Sequence, residues 1–263
     1  MVTLAGIFPP TQPPEQIGAV AAAAESAGLE QLWIWEDCFM ESGIATATAM
    51  LATTSRITVG IGLLPVPLRN VALTAMEIAT LSRLFPGRLI AGVGHGVLDW
   101  MGQAGARVES PMTLLREYTA ALYALLHGET VTARGRYVNL DAVALDWPPA
   151  VVPPLLVGGI KPRTVSLAGE LADGVIIPGG VSPEEVRASV GQLHGQRSAG
   201  RGPADVVVFT TTPAGRPAAA VAATVSEYAA AGATHVAVNA AEDDADLERF
   251  AGFLAREVGP LLR

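Results

Sequence analysis

The sequence predicts an α/β protein folded as a (β/α)8 TIM barrel. Short apolar, β-branched runs alternate with Ala-rich amphipathic stretches, the pattern of parallel strands joined by helices. Eight such pairs fit in 263 residues, close to the roughly 250 residues usual for one closed barrel. The alternative, a doubly wound open sheet, carries a glycine-rich fingerprint after its first strand. Here "GIFPPTQPP" stands in that place.

Each element follows from local signals. "TLAGIF" reads as strand one and Pro14–Gly28 as a helix, with Pro in its first turn and Gly at its end. Gln31–Asp37 is strand two, with a helix over Ile44–Thr54. Ile57–Pro65 is strand three, with a helix over Val71–Phe85. Arg88–Gly94 is strand four, followed by a loop to Pro111 and a helix. Glu129–Leu145 alternates and turns at "RGR", which predicts a short hairpin inserted before strand five. "PLLVGG", "DGVIIPGG", "DVVVFTTT" and "THVAVNAA" are strands five to eight. Helices begin at Pro162 and "SPEEV", span Ala218–Ala231, and close the chain from "DDADLERF". No linker interrupts the series, so residues 1–263 read as one barrel domain.

Composition narrows the function. Half the residues are hydrophobic, yet no run of about 18 apolar residues escapes a charge or a proline cluster, so no membrane span is expected. The N-terminus lacks a basic region and a long apolar core, so a cytoplasmic location is expected. One cysteine, Cys38, excludes a disulfide framework and a cysteine zinc site. The histidines form no HxH or HxxE cluster, so no metal is expected. A net charge of −8 without a basic run excludes nucleic acid as an expected partner.

In such barrels chemistry sits at the C-terminal ends of the strands. "VGGIKPRT" holds the only lysine, Lys161, after strand five and at the start of a helix. Glycines, free helix amides, Lys161, Arg163 and Thr164 form a phosphate cradle, or else an ordinary turn with solvated cations. "WEDCF" puts Glu36 and Asp37 at the mouth, and strand alternation turns only one of them inward. Either can act as acid, base or acceptor, or serve as a helix cap or rim ion pair. "GVGHG" offers His95 between Gly94 and Gly96, at a site or on a rim. Phe8, Trp100 and Pro178 suggest an apolar mouth for a hydrophobic substrate.

Together "AAESAGLEQLWIWED", "TSRITVGIGLLPVPLRNVALTAMEIATLSRLFPGRLIAGVGHG", "PPLLVGGIKPRTVSLAGELADGVIIPGG" and "AGATHVAVNAAEDDADLERFAGFLAREV" resemble the bacterial-luciferase-like flavin and deazaflavin oxidoreductases. The resemblance covers most of the chain. It implies FMN or the deazaflavin coenzyme F420 bound at the C-terminal face. It also implies a non-prolyl cis peptide at Gly62–Leu63 in a bulge under the ring. Gly94, His95 and Gly96 match the family's segment near the cofactor, and Val157, Gly158, Gly159, Ile160, Lys161 and Pro162 match its phosphate loop. Asp37 matches an aspartate beside the ring, while Cys38 stands where the deazaflavin branch often has histidine. A thiol, with a pKa of about 8.5, replaces imidazole poorly as a proton donor. Either Glu36, His95 or the substrate then supplies the proton, or the reaction needs none from that position.

The expectation is an F420-dependent oxidoreductase moving hydride to or from an organic, hydrophobic small molecule. The arginine bias of the chain and the resemblance point to an actinobacterial deazaflavin enzyme. The alternatives are an FMN-dependent luciferase-like monooxygenase and a non-catalytic flavin- or deazaflavin-binding protein. A Schiff-base lyase or isomerase is disfavoured, because the sole lysine lies in the phosphate loop. The compact segment Leu98–Pro111 leaves the pocket open or completed by a second subunit of a homodimer.

Overall fold

The structure, a computed structural model, describes residues 2–198, 200–213, 215–241 and 246–263. Among these residues ten strands are formed: β1 (Thr3–Ile7), β2 (Gln31–Ile34), β3 (Thr58–Pro65), β4 (Leu89–Gly94), β5 (Val131–Arg134), β6 (Asn139–Val143), β7 (Leu155–Gly158), β8 (Gly174–Ile177), β9 (Asp205–Thr212) and β10 (His235–Ala240). All but β5 and β6 close into a parallel barrel in sequence order, with β10 returning to β1 through Thr3↔His235 to Gly6↔Val238. Strands β5 and β6 form the antiparallel hairpin inserted before β7. The helices are α1 (Ile17–Ala27), α2 (Gly43–Thr53), α3 (Val71–Leu84), α4 (Leu98–Gln103), α5 (Pro111–Leu126), α6 (Pro162–Leu171), α7 (Pro183–Gly195), α8 (Ala218–Ala230) and α9 (Leu247–Phe253).

Strand alternation separates two cores. Along β2, Leu32 and Ile34 pack outward against the helices, while Trp33 and then Trp35 turn into the barrel. Trp33 fills the interior beside Ile7, Ile90, Leu156 and Val207. Its register partner on β3 is Gly60, where a Cβ would lie 2.3 Å from the indole. One strand gives up a side chain so that its neighbour can fill the layer.

Local chemistry sets the ends of the helices. Gly28 stops α1 at φ +91°. Asn70 caps α3 by accepting from Ala72 N at 2.9 Å. Ser182 and Glu185 form a capping box on α7.

Four details differ from expectation. Strand β2 stops at Ile34, so Trp35–Asp37 belong to the mouth of the barrel. Helix α4 forms inside the segment expected to be a loop; six residues are too few to show a period. The cis peptide is Cys38–Phe39, and Gly62–Leu63 is trans. The expected bulge is present, between Ile61 and Leu64, and it takes up the register shift against β4 with a trans bond. The closing helix begins at Leu247; residues 243–245 of the expected span lie outside those described. Among the described residues, no helix is long and apolar enough to cross a membrane.

Candidate active site

A cavity of about 540 Å³ opens at the C-terminal ends of the barrel strands. The end of β2 supplies one wall. Trp33, Trp35 and Asp37 share one parity, and Asp37 accordingly reaches the cavity. The Trp35 Nε1–H donates to Asp37 Oδ2 at 2.7 Å, and the Trp35 ring tilts against Phe209 at 6.0 Å. Burial pushes the Asp37 carboxyl above its ordinary range, and the indole hydrogen bond partly opposes this.

Glu36 also reaches the cavity wall but is committed elsewhere. The Arg69 guanidinium grips both of its oxygens, Nη1 on Oε1 and Nη2 on Oε2. Gly43 N donates to Oε2 at 2.7 Å. Glu36 thus caps α2, where the Ser42 side chain caps nothing. The carboxylate expected as an acid or base is a structural ion pair instead. Cys38 is absent from the lining, and burial together with Glu36 and Asp37 pushes its thiol up.

The β3 bulge organises the next three strand ends. Leu63 lies across β4 and β7: a Cβ on Gly94 or on Gly158 would sit 2.8 Å from Leu63 Cδ2. Gly94 is therefore buried beneath Leu63 and does not line the cavity, whereas Gly62, Leu63, His95, Gly96, Gly158 and Gly159 do. Leu63 thus forms an apolar shelf over Gly94 and Gly158.

Beyond that shelf, β7 feeds α6. Gly159 adopts φ +150° while its N–H bonds Ile176 O at 2.9 Å. Pro162 opens α6, and Lys161 is the N-cap without a side-chain cap bond. Thr164 N makes an early bond, to Lys161 O at 2.9 Å. Pro162 has no N–H, so Arg163 N is the helix amide ahead of Thr164 left open to an anion. The Lys161 and Arg163 side chains stand exposed beside it. Val157 is fully buried and Ile160 packs against the core, so these two hold the loop rather than face a ligand.

His95 bridges shelf and cradle. Its Nε2 lies 3.4 Å from Thr164 Oγ1. Burial is the main cause holding its pKa below the ordinary value; the Lys161 charge adds to this and the Pro111 backbone opposes it.

Trp100 and Pro178 line the cavity. Phe8 does not: it is 1% exposed, packed in the core, with its N–H bonded to Trp33 O at 2.8 Å. The position after an inward Ile7 faces outward, so alternation decides this case. Trp35, Phe209, Thr210 and Thr211 also line the cavity, and the sequence argument did not single them out. The period-two run through Trp33, Trp35 and Asp37 was the available signal for the first. Among the described residues, no group of three or more His, Cys, Asp or Glu could hold a metal ion.

The shelf fits a planar ring, and the cradle fits an anionic tail reaching from it. Residues 2–258 match the luciferase-like monooxygenase family. The chain is 32% identical over 202 residues to the 5,10-methylenetetrahydromethanopterin reductase of Methanolobus tindarius, covering 76% of this chain and 61% of that protein. It is 30% identical over 185 residues to the F420-dependent glucose-6-phosphate dehydrogenase of Nakamurella multipartita, covering 65% of this chain and 54% of that protein. The chain thus spans less than two thirds of the length of these curated relatives. A solved F420-dependent secondary alcohol dehydrogenase, in complex with an F420-acetone adduct, shares the fold with a TM-score of 0.87 over 100% of both chains, at 16% identity. With a closed barrel bulged at β3 and a family match over nearly its whole length, this chain belongs to the luciferase-like monooxygenase family.

Proposed function

We propose that the chain is an oxidoreductase that uses coenzyme F420 for hydride transfer to or from an uncharged, largely apolar organic molecule. The carrying observation is the apolar shelf of Leu63 set directly before the β7–α6 anion cradle. The F420 enzymes named among the relatives support the choice of cofactor. When bound, the deazaflavin supplies the hydride chemistry, and the protein supplies orientation, a dry pocket and a tail anchor. Gly158, Gly159 and the head of α6 would hold the tail, and Trp35, Gly62 and Leu63 would bound the ring.

The lining argues for the substrate class. Ile7, Trp35, Leu63, Ile176 and Phe209 are apolar, and among the described residues no Lys or Arg lines the cavity. An anionic substrate would meet the Asp37 carboxyl with no cation beside it, an unfavourable burial of charge. Sugar phosphates therefore fit this pocket poorly, although a relative is named for one. FMN-dependent monooxygenation is the second reading, because the cradle would accept the FMN phosphate equally well.

A homodimer has a surface to use. Helix α2 carries no charged residue, and α3 exposes Leu73, Met76 and Leu84. Association of two copies would remove that apolar area from water.

Lys161→Ala tests the anchor. Its exposed charge is expected to contribute a few-fold in F420 affinity and most of the salt dependence of binding. Isothermal titration at low and high salt should show weaker binding with a flatter salt response. Unchanged affinity at low salt would remove Lys161 from the anchor.

A further inference from the structure

Four groups at the mouth could exchange a proton as acid or base: Glu36, Asp37, Cys38 and His95. Arg69 and Gly43 N occupy both Glu36 oxygens. Cys38 lies outside the cavity lining. His95 turns its Nε2 to Thr164, its Nδ1 is sealed from solvent, and the Pro111 backbone hydrogen-bonds the ring. Asp37 differs from all three. It lines the cavity and Trp35 fixes Oδ2, while no other side-chain bond holds the carboxyl among the described residues.

We propose that Asp37, held by the Trp35 indole, is the proton carrier of the site, exchanging a proton with the substrate oxygen as hydride moves. The proposal rests on the F420 reading above. For a carbonyl substrate, hydride forms a C–H bond at the carbonyl carbon. The π pair of the C=O bond passes to oxygen and takes the Asp37 proton, giving an alcohol and an Asp37 carboxylate. The hydride comes from reduced deazaflavin, which is oxidised by two electrons. Alcohol oxidation is the reverse, with Asp37 as base.

Trp35 is a positioning residue with two effects. It orients the carboxyl, and its N–H favours the carboxylate while burial favours the acid. The charged or titratable neighbours are few. Glu36 and Cys38 flank Asp37 in the chain, Arg69 lies behind Glu36, and His95 faces from β4 with Lys161 beyond it. Removing the indole therefore leaves burial unopposed and should move the Asp37 midpoint to higher pH.

The titration is read first without cofactor. Protein labelled with 15N at the indoles of its four tryptophans is followed against pH, and Trp35→Phe identifies the Trp35 signal. The Trp35 N–H should titrate with a midpoint above about 3.9, the value of a solvated aspartate. The titration should vanish in Asp37→Asn. In Trp35→Phe, the 13C carboxyl signal of Asp37 should titrate at higher pH than in the wild type. With F420 bound, uncharged ketones and secondary alcohols serve as probes. The pH limb of kcat/KM should move in Trp35→Phe in step with the Asp37 midpoint. A midpoint at or below 3.9, or a limb that stays while the midpoint moves, overturns the proposal. Failure of the wild type to bind F420 would overturn the functional reading instead, since the Asp37 titration is read without it.

Discussion

Arg69→Ala is expected to lower stability by about 3 kcal/mol, because it strands a buried carboxylate. Arg69 and Glu36 are 14% and 8% exposed, so water cannot replace the lost partner well. For a chain of this size that loss corresponds to roughly 6–12 °C in Tm. The damage should also reach function, since Glu36 fastens the loop that carries Asp37 to the head of α2. Replacing both partners with leucine should recover part of the loss, because Glu36 is then not left unpaired, while Glu77 and Gly43 N still lose their partners. Calorimetry of the two single variants and the double variant checks this. A fall below about 2 °C in Arg69→Ala would show that the pair is solvated and holds nothing. Loss of turnover in Glu36→Gln with unchanged Tm and unchanged F420 affinity would return Glu36 to a catalytic role.

Gly159→Ala is expected to weaken F420 binding at least tenfold, about 1.4 kcal/mol. Two costs coincide there. The φ of +150° is one that side chains rarely adopt, and a Cβ would lie 2.8 Å from Thr164 Cγ2. Relief requires shifting either the loop or the first turn of α6, and both belong to the cradle. Gly87→Ala is the control. It has φ +73° and open space around its Cβ, at the far end of the barrel before β4. It should lose stability without losing affinity. Equal affinity in Gly159→Ala and the wild type would remove the β7–α6 turn from the cofactor site.

Much of this architecture was legible because the signals are local. Alternating apolar runs located all eight barrel strands, and "RGR" marked the hairpin turn between β5 and β6. Strand parity was also sufficient to send Asp37 inward and Phe8 outward, had it been followed past the last ladder bonds of β2 and β1. What escaped is long-range. Arg69 sits 33 residues from Glu36, and nothing near either residue announces the pair. Gly94 looked like a ligand contact because a missing side chain looks the same whether a cofactor or Leu63 fills the space. Phe209 reached the cavity from a strand whose inward positions read only as ordinary β-branched sequence. The cis bond was expected on β3 by resemblance, yet it lies at Cys38–Phe39 on the neighbouring loop.

The central claim is a deazaflavin site made from the Leu63 shelf and the α6 cradle. Fluorescence titration of the protein with F420 and with FMN, under identical salt and pH, tests it most directly. The account predicts saturable F420 binding with Kd below roughly 100 μM and tighter than that of FMN. FMN binding tighter than F420 would contradict the choice of cofactor in favour of the monooxygenase reading. Failure of both below roughly 100 μM would contradict the site itself.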